Sequence, residues 1–199
     1  MQSSHPSNPF ERYADDIVVH CETEAEAVKL KSEIAKRMER CGLELHPEKT
    51  KIVYCKDANR TGDYEFHSFD FLGFCFRPRL SRNRHGQYFV NFSPAIAPKS
   101  KKAIFSEIRQ WSLHKRSDLS VRELSNKLNP VVRGWIEYYG AFFQSELLFL
   151  VHHIDKLIYR WVIRKYMKQG SNFKKADNWV KRIKTAKPNF FVHWGLLRA

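Results

Sequence analysis

The sequence predicts an α+β protein, with an antiparallel sheet and one packed helix in its first half and an all-helical second half. Three observations carry this. Short β-branched and aromatic runs bounded by turn residues recur up to about residue 92, such as Ile17-Val18-Val19 and Gln87-Tyr88-Phe89-Val90-Asn91-Phe92. Beyond Pro98 the apolar residues recur at helical spacing instead. Charge divides the chain in the same way. Residues 1–94 hold 14 Lys and Arg against 14 Asp and Glu, whereas residues 95–199 hold 21 against 7, so the whole net charge of +14 lies in the second half.

Residues 1–9 are polar with two prolines and are expected to be disordered. Phe10 to Val19 reads as two short strands around a tight turn. Thr23 and Glu26 have the spacing of a capping box. Ala27, Leu30, Ile34, Met38 and Cys41 then mark one helix face, which Gly42 ends. Leu43 to Tyr54 reads as strand, Pro47 turn, strand, and residues 56–66 as a loop. Phe69 to Phe76 reads as one aromatic strand, with Gly73 marking a bulge or a close backbone approach. A basic loop over residues 77–86 and a return strand over residues 87–92 follow.

Pro94 and Pro98 mark the boundary, giving domains of residues 10–96 and 97–199. In the second, Ile104, Ile108 and Trp111 share a face of a helix over residues 100–113. Ser120 and Glu123 form a second capping-box pattern. Asn129 is read as the cap of a new helix with Pro130 in its first turn. Residues 145–167 predict a long helix, and Asn172 caps a last one. The Phe190-Phe191-Val192-His193-Trp194 tail reads as a docked strand.

Hydrophobic content of 43% and aromatic content of 14% exclude a disordered chain. Cys21, Cys41, Cys55 and Cys75 lack C-x-x-C spacing, so neither a zinc site nor a disulfide framework is expected. No apolar run reaches the ~20 residues of a membrane span, and no signal-peptide core opens the chain. A cytoplasmic protein with no membrane partner is expected. The charge asymmetry therefore points to nucleic acid.

The chemistry-bearing stretch is Tyr13-Ala14-Asp15-Asp16. Two adjacent carboxylates repel unless a cation neutralises them. Mg²⁺ takes such oxygen ligands, completed by substrate phosphates, and a pair of ions can clamp both oxygens of a phosphoryl transfer.

The order of motifs is more specific than any one of them. Arg12-Tyr13-Ala14-Asp15-Asp16, Gly42-Leu43-Glu44-Leu45, Pro47-Glu48-Lys49-Thr50, Phe69-Asp70-Phe71-Leu72-Gly73-Phe74, and Asn129-Pro130 with Arg133-Gly134-Trp135 and Tyr138-Tyr139 follow one another. This resembles a group II intron-encoded reverse transcriptase/maturase over residues 10–195. The resemblance implies a partial reverse-transcriptase palm followed by a helical thumb/maturase domain. It implies that Asp15 and Asp16 serve a two-metal Mg²⁺ site, that Lys49 assists pyrophosphate departure, and that Phe71, Leu72 and Gly73 form a primer grip. It also implies structured intron RNA and an RNA/DNA primer-template as partners. Lys99, Lys101, Lys102, Arg133, Arg160, Arg164, Lys165, Lys174, Lys175, Lys181, Arg182 and Lys184 are the candidate phosphate contacts. Trp135, Tyr138 and Tyr139 either stack on bases or pack inward.

A full palm has a third carboxylate on an earlier strand, and residues 1–12 hold no aspartate. The chain alone is expected not to polymerise DNA. It is expected to need a complementing N-terminal half or self-association to cover its sheet edge. The alternative is a non-catalytic RNA-binding splicing cofactor with a vestigial Asp pair.

Overall fold

The computed structural model describes residues 8–60, 62–166 and 173–196. The fold is α+β. Strands β1 (Phe10–Tyr13) and β2 (Asp16–Val19) form a hairpin, and α1 (Glu24–Glu39) follows. Strands β3 (Phe69–Phe71), β4 (Phe74–Arg82) and β5 (Tyr88–Ile96) form a second sheet in sequence order. Five helices are described in all, the later four being α2 (Pro98–Gln110), α3 (Val121–Tyr139), α4 (Ser145–Tyr166) and α5 (Phe173–Ala186). The chain divides into two compact units. The first comprises Met1–Phe71 and Phe76–Ser93, and the second comprises Leu72–Cys75 and Pro94–Ala199.

The two units differ in how they bury apolar surface. In the first, Leu30 of α1 is the buried hydrophobic residue among those described, while Tyr13, Val28, Leu43, Leu80 and Tyr88 are exposed. In the second, Ile104, Leu124, Leu128, Ile154, Trp161, Val162, Val180 and Trp194 belong to one continuous core. Burying each such side chain stabilises by about 1.5–3 kcal/mol.

Helix α1 is capped at both ends, though not quite as its sequence suggests. The Thr23 hydroxyl accepts from the Glu26 amide at 3.2 Å. Glu26 does not return the bond to Thr23; one of its oxygens accepts from the Glu22 amide at 2.8 Å and the other from Asn8 Nδ2 at 2.9 Å. At the far end Gly42 has φ +70°, the Leu43 amide bonds the Met38 carbonyl, and the Gly42 amide bonds the Glu39 carbonyl. That is a Schellman stop, which glycine adopts without steric cost. Asn8 also belongs to this corner. It is buried, although the polar start of the chain reads as disordered; residues 1–7 lie outside the described residues.

Several expected elements change when tertiary contacts are added. Leu43 to Tyr54 forms no strands; it is extended chain around the Pro47 turn, with one ladder-like bond from the Tyr54 amide to the Phe66 carbonyl at 2.8 Å. A strand needs a continuous neighbour for its amides, and this stretch has none among the described residues. Phe69 to Phe76 is two strands, because Leu72 and Gly73 both take positive φ, +49° and +77°. Positive φ at both central positions makes a type I′ turn, which matches the twist of a hairpin. The turn sets Phe69 opposite Phe76, and their rings stack at 4.9 Å. The expected basic loop is largely strand, since β4 runs on to Arg82. Pro78 is tolerated there because three-residue β3 leaves that stretch of β4 without a strand neighbour on one side among the described residues.

In the helical half, α2 stops before Ser112, whose φ of +47° turns the chain into a 3-10 turn over Leu113–Lys115. The capping box of α3 is reciprocal: the Glu123 amide bonds the Ser120 hydroxyl, and the Ser120 amide bonds the Glu123 carboxylate at 2.7 Å. These bonds hold the Glu123 carboxyl below its usual value. Asn129 is not a cap and Pro130 starts no helix. Pro130 lies inside α3, where it removes one backbone donor at a cost of about 3 kcal/mol. Leu128 and Val132, buried on either side of it, hold the helix continuous. The aromatic tail forms a 3-10 turn, Val192–Trp194, and no strand. The expected Asn172 cap lies outside the described residues.

Candidate catalytic hairpin and nucleic-acid interface

The β1–β2 hairpin pairs Phe10 with Val19, Glu11 with Val18, Arg12 with Ile17, and Tyr13 with Asp16. Ala14 and Asp15 are therefore the two turn residues. Positive φ falls on Ala14 alone, at +52°, the pattern of a type II′ turn. Alanine pays about 1–2 kcal/mol to sit there. Arg12 Nε donates to the Ala14 carbonyl at 3.1 Å and braces the turn. The base of the hairpin is fixed by Asn8, whose Nδ2 donates to the His20 carbonyl at 3.1 Å as well as to Glu26. Asn8 is the support that motif reading missed; its side chain gives no periodic signal.

Asp15 and Asp16 both end up exposed at the hairpin tip. They offer hard carboxylate oxygens, the donor type that suits Mg²⁺ when substrate phosphates complete the shell. Among the described residues no group of three or more metal-type ligands forms, so the pair stands as a two-carboxylate contribution. Lys49 lies in a separate turn, closed by the Thr50 amide on the His46 carbonyl at 2.9 Å. Lys31 of α1 donates to the Thr50 carbonyl at 3.2 Å and ties that turn down. Lys49 itself is exposed, and no contact among the described residues joins it to Asp15 or Asp16.

Leu72 and Gly73 sit in the second unit, while Phe71 ends β3 in the first. The close approach at Gly73 is real, but protein makes it. A Cβ there would lie 3.2 Å from both the Ser100 and the Tyr139 hydroxyl oxygens. The Gly73 carbonyl accepts from the Ala97 amide at 2.9 Å and from the Ser100 hydroxyl at 3.0 Å. Phe74 packs among Tyr138, Tyr139 and Phe142. Of the aromatic stripe, Trp135 stacks on Trp111 at 5.7 Å and Tyr139 is half-buried, so both pack inward; Tyr138 is half-exposed.

The basic candidates spread over four helices. Lys99 and Lys102 on α2, Arg133 on α3, Arg160 and Arg164 on α4, and Lys174, Lys175 and Arg182 on α5 are exposed. Lys101, Lys165, Lys181 and Lys184 have identified partners within the protein. Lys101 pairs with Glu146, Lys181 with Asp177 at 2.7 Å, and Lys184 with Asp155 at 3.7 Å. Lys165 donates to the Ser117 carbonyl at 2.6 Å. Charge counting cannot tell these from the exposed set. Arg109 and Lys156 were missed, although Arg109 falls seven residues after Lys102 and Lys156 four before Arg160, on the same helix faces; both are exposed.

Inside this unit a polar network pins the tail. Trp194 Nε1 donates to Asp155 Oδ1 at 2.8 Å, and His193 Nε2 lies 2.8 Å from the same oxygen. Burial raises the Asp155 pKa, but the bonds from His193 and Trp194 and the charge of Lys184 outweigh it, leaving the carboxyl below its ordinary value.

No helix among the described residues is long and apolar enough to cross a membrane. No curated protein matches the chain. Two family models do. The reverse transcriptase (RNA-dependent DNA polymerase) family matches residues 1–76, which contain the Asp15–Asp16 hairpin. The group II intron, maturase-specific domain matches residues 101–182, which contain most of the basic helical surface. With the two matches in that order along one chain, the protein belongs to the group II intron reverse transcriptase/maturase family.

Proposed function

We propose that the helical unit binds structured intron RNA and that the hairpin contributes Asp15 and Asp16 to Mg²⁺-dependent, RNA-directed DNA synthesis on an RNA/DNA primer-template. The carrying observation is the placement of charge. The whole excess of +14 lies in residues 95–199, and nine of the twelve candidate cations there are exposed. Each phosphate they neutralise releases counterions, which makes affinity steeply salt-dependent.

Asp15 and Asp16 are the residues to hold the metal, which when bound supplies charge neutralisation at the reacting phosphates. Arg12 acts on the backbone, fixing the Ala14 carbonyl so that the two carboxylates share one rigid tip. Lys49 serves as a cation for the departing pyrophosphate, and Phe71, Leu72 and Gly73 as the primer-side turn. Family membership and motif order support these roles.

The test is binding of the purified chain to a structured group II intron RNA and to an unrelated RNA of equal length, across a salt series. Tight binding selective for the intron supports the reading. Equal, weak binding that salt abolishes for both RNAs overturns it.

A further inference from the structure

We infer that the groove between α2 and α4 seats one unpaired nucleotide of RNA, its base on an aromatic floor and its two flanking phosphates on Lys102 and Arg109. The groove has a volume of about 240 Å³ and is lined by Lys102, Phe105, Arg109 and His153. That is smaller than the roughly 300–1,000 Å³ of a pocket that encloses a small molecule. It suits a flat group laid in from solvent.

Helical spacing builds the site. Lys102, Phe105 and Arg109 stand at i, i+3 and i+7 and share one face of α2. The acid of that helix, Glu107, falls on a different face by the same rule. Phe105 meets the His153 ring edge-on at 5.1 Å with the planes 88° apart, so the floor is a corner in which a base stacks on one ring and abuts the other. Phe149 backs Phe105 at 5.6 Å and carries Lys101 Nζ over its own ring. Phe149 is 37% exposed and the other two are partly exposed. Lys102 and Arg109 are exposed, and their side chains make no ion pair or hydrogen bond among the described residues. Burial first, and then Arg160 and Lys156, lower the His153 pKa, which favours the neutral imidazole that stacks without adding charge.

The cations select the ligand. They bracket the floor about 10 Å apart along the helix axis, at ~1.5 Å per residue. A base with a phosphate on each side meets both. A free mononucleotide, with its phosphate at one end, meets one. A duplex hides its bases in the stack and leaves the aromatic floor unused.

This inference rests on the RNA-binding reading above, and the experiment separates the two. Fluorescence anisotropy of the full chain is measured with a labelled oligoadenylate hexamer, an abasic hexamer of the same backbone, AMP as competitor, and structured intron RNA. The wild-type chain is expected to bind the hexamer roughly 5- to 150-fold tighter than the abasic strand, the range one stacked base supplies. Phe105→Leu, which keeps apolar volume, and His153→Ala should each erase most of that gap while leaving abasic affinity unchanged. Lys102→Gln with Arg109→Gln should weaken both strands alike. Equal binding of normal and abasic strands, a gap that survives Phe105→Leu, or AMP competing as well as the hexamer overturns the nucleotide seat and leaves the RNA-binding reading standing. Loss of all RNA binding by the wild-type chain overturns both.

Discussion

The hydroxyl of Tyr138 on α3 donates to the Leu72 carbonyl at 2.7 Å, holding a hairpin turn by its backbone. Leu72 has φ +49°, a region that costs a branched residue about 1–2 kcal/mol. Tyr138→Phe removes the bond and should lower stability by about 0.5–1.5 kcal/mol in urea denaturation. Leu72→Asn, which tolerates that φ better, should raise it by up to ~1 kcal/mol. A neutral Tyr138→Phe, with an unchanged urea midpoint, counts against the clamp.

Gly73 faces both constraints at once. Its φ is +77°, and an added Cβ would crowd the Ser100 and Tyr139 hydroxyls at 3.2 Å. Gly73→Ala should therefore cost at least about 1–2 kcal/mol. The Ser100→Ala background should recover part of that loss, because one of the two crowding atoms is gone.

Replacing Asp15 and Asp16 together by Asn tests the hairpin. DNA synthesis by the complemented enzyme should fall below detection, while affinity for intron RNA stays within twofold, about 0.4 kcal/mol. Undiminished synthesis would remove both residues from the metal site.

The basic face makes a salt-dependent prediction. Lys174→Gln, Lys175→Gln and Arg182→Gln together should weaken RNA binding and reduce the slope of log K against log salt by about 2–3. Lys181→Gln should add less, because Asp177 already holds that ammonium at 2.7 Å. An unchanged slope for the triple variant would show that α5 does not touch phosphate.

Asp155 gives a pH signature. Against the opposing effect of burial, the bonds from His193 and Trp194 hold its folded pKa below the ordinary carboxyl value. The folded state therefore binds fewer protons than the unfolded chain as the pH falls past about 4. The stability it supplies is present above that pH and is lost on acidification through the depressed value. Urea midpoints should drop between pH 5 and pH 3 more steeply for wild type than for Asp155→Asn. Parallel pH profiles would show that the His193 and Trp194 bonds do not discriminate between carboxylate and acid.

The sequence by itself determined the α+β class, most of the helices, the Asp15–Asp16 tip and the one-sided charge. Each is local: a 3.6-residue period, a capping box, a turn between β-branched runs, or a count of side chains. Tertiary structure decided the rest. Leu72-Gly73 became a turn because Ala97, Ser100 and Tyr138 hold its carbonyls, partners that lie 24 or more residues away. Pro130 stayed inside α3 because Leu128 and Val132 are buried on both sides of it. Asn129 bonds the Phe190 carbonyl and the Val192 amide, which no capping rule anticipates. Leu43 to Tyr54 lost its strands for want of a neighbour. Which lysines face solvent was also out of reach, since Glu146, Asp155 and Asp177 choose among cations that look alike in the sequence. Local propensity sets what a segment can become, and burial and hydrogen-bond satisfaction by distant residues set which of those it adopts.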